Sequence, residues 1–224
     1  MRDLTVFRRV LGAQWLWARL ALVVLAVVGF AIPLASVFYG ADLNGAGISR
    51  VGDWLVGADR VARVLPYFAL LTGVLVGVMA WTPDITGRHV YALTLPVSRA
   101  YFVTMRFLAG ALLTLVPAGA FALGAALSSL AVTLPPAVHA HPVEVAARFW
   151  LATLTVYAII FAISSASRRG QIAIISVIGG AILVDLLLLA IGSDFSVTAE
   201  TFALLTNWPG PLAILAGRWA LFDV

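Results

Sequence analysis

The sequence is organised around long runs that carry no charged side chain: Leu20 to Ala41, Val64 to Pro83, Phe107 to Val138 and Phe149 to Ser167. A fifth run, Gly170 to Gly192, is interrupted only by Asp185. A hydrocarbon core about 30 Å thick is crossed by about 20 apolar residues of α-helix. Backbone polar groups at that depth must be satisfied within the segment, which a helix does. Each run therefore reads as one helical span. Composition agrees: 11% of residues are charged and 62% hydrophobic, against about 25% charged in an ordinary soluble domain. Too little polar side chain is present to clothe a water-soluble globule.

The expected fold is an all-α polytopic membrane helix bundle in one domain over residues 1–224, with five clear spans at about 20–40, 63–82, 105–133, 148–166 and 171–191. Pro117 lacks an N–H and clashes with the preceding turn, so the third span should kink there. A sixth stretch, 204–222, holds Asn207, Pro209, Pro211 and Arg218 and is poor material for a lipid-facing helix. It is a weak or truncated sixth span: a short shielded helix, an interfacial or re-entrant segment, or a chain that ends early. Ahead of the first span, Leu4, Phe7, Leu11, Trp15 and Ala18 recur at helical spacing beside Arg8, Arg9 and Arg19. That pattern predicts a separate amphipathic helix over Asp3 to Ala18, lying in the membrane interface.

A cytoplasmic N-terminus places Arg2, Arg8, Arg9, Arg19, Arg88, Arg99, Arg106, Arg168 and Arg169 on cytoplasmic flanks, against Arg50, Arg60, Arg63 and Arg148 outside. The positive-inside bias favours that orientation. Lysine is absent, so all 14 basic residues are arginines, and cysteine is absent too. A Walker A loop needs Lys on the nucleotide phosphates, and Schiff-base chemistry needs its amine. A chain without them that runs on ATP needs another polypeptide to hydrolyse it. Missing cysteine excludes disulfides, thiolate nucleophiles and Cys-ligated zinc. The net charge of +4 is spread beside apolar runs rather than in one patch, so it is no nucleic-acid footprint.

The connection between the second and third spans is the most informative segment. It runs from Asp84 through Gly87, Arg88, His89 and Tyr91 to Leu95, Pro96, Ser98 and Arg99. An acidic start, an apolar side at Val90 and Leu93, and a stop at Pro96 describe a short cytoplasmic helix; Ser98 is placed to cap the next one. A short helix joined rigidly to two spans is a mechanical contact, because force on it moves both spans together.

This segment resembles the ABC-2 family of bacterial transporter permeases. Those chains carry an acidic residue, then Gly, then an apolar run ending in Leu-Pro-x-Ser-Arg, then a basic residue entering the third helix. Asp84, Gly87, Leu95, Pro96, Ser98, Arg99 and Arg106 match in order and spacing. Arg88 and Val90 depart from it, standing where the family often has Thr and Glu. The resemblance implies a permease paired with a second copy or a paralogous permease in a bacterial inner membrane. It implies an ABC-type ATP-binding subunit docked below, on Asp84, Gly87, Arg88, Tyr91, Leu95, Pro96, Ser98 and Arg99. ATP and magnesium would be bound by that partner, with no cofactor on this chain. Family members mostly export.

Asp185 is an ionisable group inside a span, costly at about 2.5–3.5 kcal/mol on insertion scales. It reads either as an acid contacting cargo or protons, or as a structural hydrogen-bonding group to a Ser, Thr or Arg. Gly73 and Gly77 form a GxxxG, and Ala120, Gly124 and Ser128 a small-residue stripe, suited to close helix approach within one chain or between two. His139, His141 and Glu144 cluster before the fourth span, but three groups without a fourth ligand make a poor zinc site, so no metal is expected. No Ser/His/Asp set supports an intramembrane hydrolase. The readings are thus a transport subunit without catalysis of its own, contacting membrane lipids and no nucleic acid; then a non-transporting anchor or regulatory subunit on the same fold; and last an intramembrane enzyme.

Overall fold

The structure is a computed structural model and describes residues 2–39, 42–81, 98–191, 193 and 195–224. The first helix, α1 (Arg2–Ala35), is continuous over 34 residues. At 1.5 Å per residue it is about 51 Å long, well beyond a hydrocarbon core. The leading amphipathic stretch is therefore the N-terminal continuation of the first span rather than a separate interfacial helix. Physically, no proline precedes Pro33, and the junction around Ala18 and Leu20 is Leu-, Ala-, Trp- and Arg-rich with no breaker. Ala18, Leu22 and Leu25, at helical spacing, are its buried side.

A 3-10 turn, Ser36–Tyr39, leads to α2 (Ile48–Ala62), a helix lying between the first two expected spans. Trp54, Gly57, Ala58 and Ala62 are its buried side, while Arg50, Asp53 and Arg60 are exposed. Arg63 and Val64 join it to α3 (Leu65–Met79) with little interruption, since Phe68 N donates to Val64 O at 3.0 Å. The third passage is two helices, α4 (Arg99–Leu113) and α5 (Leu115–Ala131), meeting at Thr114. The break falls three residues before Pro117, because Pro117 has no N–H for the Leu113 carbonyl one turn back. At the junction the Thr114 hydroxyl donates to Ala111 O at 2.7 Å.

Strand β1 (His139–Ala140) precedes α6 (Pro142–Ser165) and α7 (Arg168–Ala190). Ser167 caps α7, its Oγ accepting from Gly170 N at 3.3 Å. Then come α8 (Val197–Thr206) and strand β2 (Phe222–Asp223), antiparallel to β1 with His139 opposite Asp223. Five helical passages are long and apolar enough to cross a bilayer: Leu4–Phe38, Ile48–Met79, Ala100–Ala131, Pro142–Ser165 and Arg168–Ala190. They mark a membrane protein with an all-α bundle. In the stretch expected as a weak sixth span, the described residues form no helix of spanning length: α8 has 10 residues, and the chain beyond it turns back to the end that carries β1. Pro209, Pro211 and the left-handed Gly217 (φ 82°) make that a turning segment.

Helix α1 lies along α5 and α4, α3 along α6, and α5 along α6. One apolar cluster sits at the β-ladder end, with Trp54, Phe68, Phe121, Phe149, Trp219 and Phe222; Phe149 stacks on Phe121 at 4.6 Å and on Phe68 at 5.5 Å. A second, with Leu22, Val76, Tyr157 and Phe161, lies toward the opposite end. Close approach rests on glycine: a Cβ at Gly73 would stand 2.7 Å from Thr153 O and Val156 Cβ, and one at Gly77 2.7 Å from Ile160 Cγ2. Gly124 likewise abuts the Phe30 carbonyl of α1. Both small-residue sets thus pack within the chain. Among the five long passages, α7 alone has no buried residue among those described.

Candidate functional site

Of the residues expected to meet a motor subunit, Asp84, Gly87, Arg88, Tyr91, Leu95 and Pro96 lie outside the described residues, and so does the short helix expected there. Ser98 and Arg99 are described. Ser98 takes an extended backbone (φ −64°, ψ 146°) and caps α4, its Oγ accepting from Tyr101 N at 3.4 Å; Arg99 is the first residue of the helix. The cap expected from the Pro-x-Ser pattern is present.

Just inside that start, α4 is fastened on two sides. Arg106 is 4% exposed, and its guanidinium lies 4.7 Å from the Trp81 ring centre and 5.3 Å from that of Phe102. Stacking of this kind stabilises a cation more as water is excluded. Gln14 of α1 donates its Nε2 to Arg106 O at 3.2 Å. Tyr157 of α6 donates its hydroxyl to Phe107 O at 2.9 Å, in the space left by Gly110, where a Cβ would collide with the phenol. Two successive carbonyls of α4 thus take a second hydrogen bond, one from each neighbouring helix. Sequence reading singled out Arg106 but missed Gln14 and Tyr157. One signal was present: Gln14 is the only side-chain amide in residues 2–35.

Asp185 lies near the far end of α7. Its carboxylate accepts from the backbone N–H of Val197 at 2.6 Å and of Thr198 at 3.0 Å, and from the Ser196 hydroxyl at 2.9 Å. The Thr198 hydroxyl donates to it as well. Ser196 Oγ in turn accepts from Ala199 N at 3.1 Å. The carboxylate therefore satisfies orphan donors at the N-terminus of α8, where negative charge is favoured. Its partners are thus Ser196, Val197 and Thr198.

His141 Nδ1 stands 2.6 Å from Glu144 Oε2, His139 is in β1, and no group of three His, Asp or Glu side chains suited to a metal converges among the described residues. Arg148, which the sequence placed only as a flanking charge, holds the C-terminal segment. Its Nε donates to Ile214 O at 3.0 Å and its Nη1 to Arg218 O at 2.8 Å; Nη2 donates to Ala216 O. No protein-family model, curated protein or solved structure matches the chain.

Proposed function

We propose that the chain is the membrane-spanning permease subunit of an ATP-binding-cassette exporter in a bacterial inner membrane, with its N-terminus in the cytoplasm. The observation that carries this reading is the ordered set Asp84, Gly87, Leu95, Pro96, Ser98, Arg99 and Arg106 in the link between the second and third passages. Its described end is compatible with a mechanical role. Ser98 starts α4 firmly, and Gln14 and Tyr157 tie α4 to α1 and α6, so a push on the link would be shared by three helices. A separate subunit would hydrolyse ATP with its own magnesium, and a second permease copy or a paralogue would complete the path.

The test is purification of the tagged full chain from native membranes in mild detergent, followed by mass spectrometry of co-purifying proteins. A stoichiometric partner with a Walker A loop is expected, and Asp84→Ala with Leu95→Asp should release it. A chain that purifies alone, or a partner retained by the double variant, would overturn the reading. A second reading, a non-transporting anchor or regulatory subunit, draws on residues 197–224, which add no further crossing among the described residues. It predicts a stable partner whose ATPase activity is indifferent to the chain.

A further inference from the structure

Where α2 meets α3, at the β-ladder end of the bundle, a cavity of about 340 Å³ opens between Tyr67 and Trp219, with Asp59, Arg63 and Arg218 on its polar edge. Asp59 Oδ2 accepts from Arg63 Nε at 3.2 Å and Nη2 at 3.0 Å, and its Oδ1 lies 3.6 Å from Arg218 Nε. One carboxylate thus orients two guanidiniums brought from distant parts of the chain. Arg218 Nη1 continues to Asp223 at 2.8 Å. Among the described residues, no acceptor engages Nη1 of Arg63 or Nη2 of Arg218.

The charges are layered. The Asp59 side chain is 28% exposed, against 74% for Arg63 and 56% for Arg218, so the guanidiniums stand at the mouth with the carboxylate behind them. Tyr67 projects there too, at 74% exposed, while Trp219 is buried at 3% and forms a wall. The height is also defined. Charge-bearing α2 gives way to apolar α3 at this point, which is the headgroup level where aromatic side chains and arginine gather. Planar guanidinium forks match phosphate oxygens, and two converging forks can share one phosphate.

We propose that this cavity binds the phosphate of a phospholipid headgroup from the adjoining leaflet, with Arg63 and Arg218 as paired donors and the Tyr67–Trp219 cleft against the glycerol and upper chain. Free phosphate shares the oxygen chemistry but leaves that apolar cleft unfilled. The site is independent of the transport reading.

The experiment uses the purified full chain in an uncharged detergent, with binding read by native mass spectrometry. The probes are short-chain phosphatidylglycerol, short-chain diacylglycerol and inorganic phosphate. Phosphatidylglycerol is expected to bind and diacylglycerol not to. Arg63→Gln with Arg218→Gln should weaken phosphatidylglycerol about tenfold or more. Arg50→Gln, which removes the same single charge as Arg63→Gln but on α2 away from the cavity, should leave it within about twofold, as screening over that distance implies. If the double variant does not fold, Arg63→Gln alone keeps Arg218 on Asp59 and Asp223 and should still weaken binding several-fold. Diacylglycerol binding as well as phosphatidylglycerol, or equal losses in the Arg50 and Arg63 variants, would overturn the site. Inorganic phosphate binding as tightly as the lipid would overturn the lipid as its occupant.

Discussion

The guanidinium of Arg148 lies 4.7 Å from the centre of the Trp219 ring while its nitrogens reach three carbonyls of the same returning segment. A planar cation with five donors is one of few side chains able to organise irregular backbone in this way. Arg148→Met keeps the apolar stem but abandons those carbonyls. Loss of about 2–3 kcal/mol is expected, counted from hydrogen bonds to a charged group and discounted for partial exposure. Thermal unfolding in detergent measures it, and limited proteolysis should cut residues 213–224 first. Arg148→Lys should fall between the two proteins.

Asp185→Asn should loosen α8 and leave the bundle unchanged. Asparagine offers one acceptor oxygen where the carboxylate offers two, so Val197 N or Thr198 N loses its partner. Faster hydrogen exchange is expected in residues 197–200, with no change in α3 or α6. Unchanged exchange there would show that the carboxylate does not hold the helix.

Glycines separate by what surrounds them. Gly73→Ala must push α6 away from α3 and should cost about 1–3 kcal/mol, as overpacking does. A Cβ at Gly180 would meet nothing within 4 Å, so Gly180→Ala should be neutral or stabilising by up to about 1 kcal/mol through helix propensity. Melting temperatures of the two variants in one detergent decide the matter.

The Val224 backbone N–H, and then the charge of Arg218, hold the Asp223 carboxyl below the ordinary aspartate value of 3.8. A carboxyl with a depressed folded value stabilises the folded form above the unfolded value, and that contribution is lost as pH falls through the folded value. Docking of β2 should therefore be complete at neutral pH and weaken on acidification from about pH 4 downwards. Asp223→Asn should flatten that part of the profile, read by Trp fluorescence through nearby Trp219 and Trp54.

The five passages were legible because apolar runs of span length have no soluble use for so many residues. The break near Pro117 and the cap at Ser98 were legible because each depends on neighbours a few residues away. Helix α2 was not read: three of its four buried residues, Gly57, Ala58 and Ala62, are small and leave a weak apolar stripe, and Trp54 is packed by Phe222 at 4.9 Å from far along the chain. The Arg148 clasp was illegible for the same reason, since its acceptors are backbone carbonyls with no residue signature. Asp185 was flagged, but its partners were not, although Ser196 followed by Glu200 carries a helix-start signal. The separate leading helix was over-read: an amphipathic pattern marks a face, and only a breaker marks an end.

Helix α7 buries no residue and meets the rest of the described chain at its two ends, against α6 and α8. Its place in a bilayer is therefore a partition between water and lipid, decided by its own side chains. The other four passages are decided by one another as well. A transition that melts the bundle would leave α7 where the lipid put it, tethered by Ser167 on one side and by the Asp185 contacts on the other. One segment is apolar enough to enter a bilayer without needing the fold, and four hold a fold that needs their neighbours.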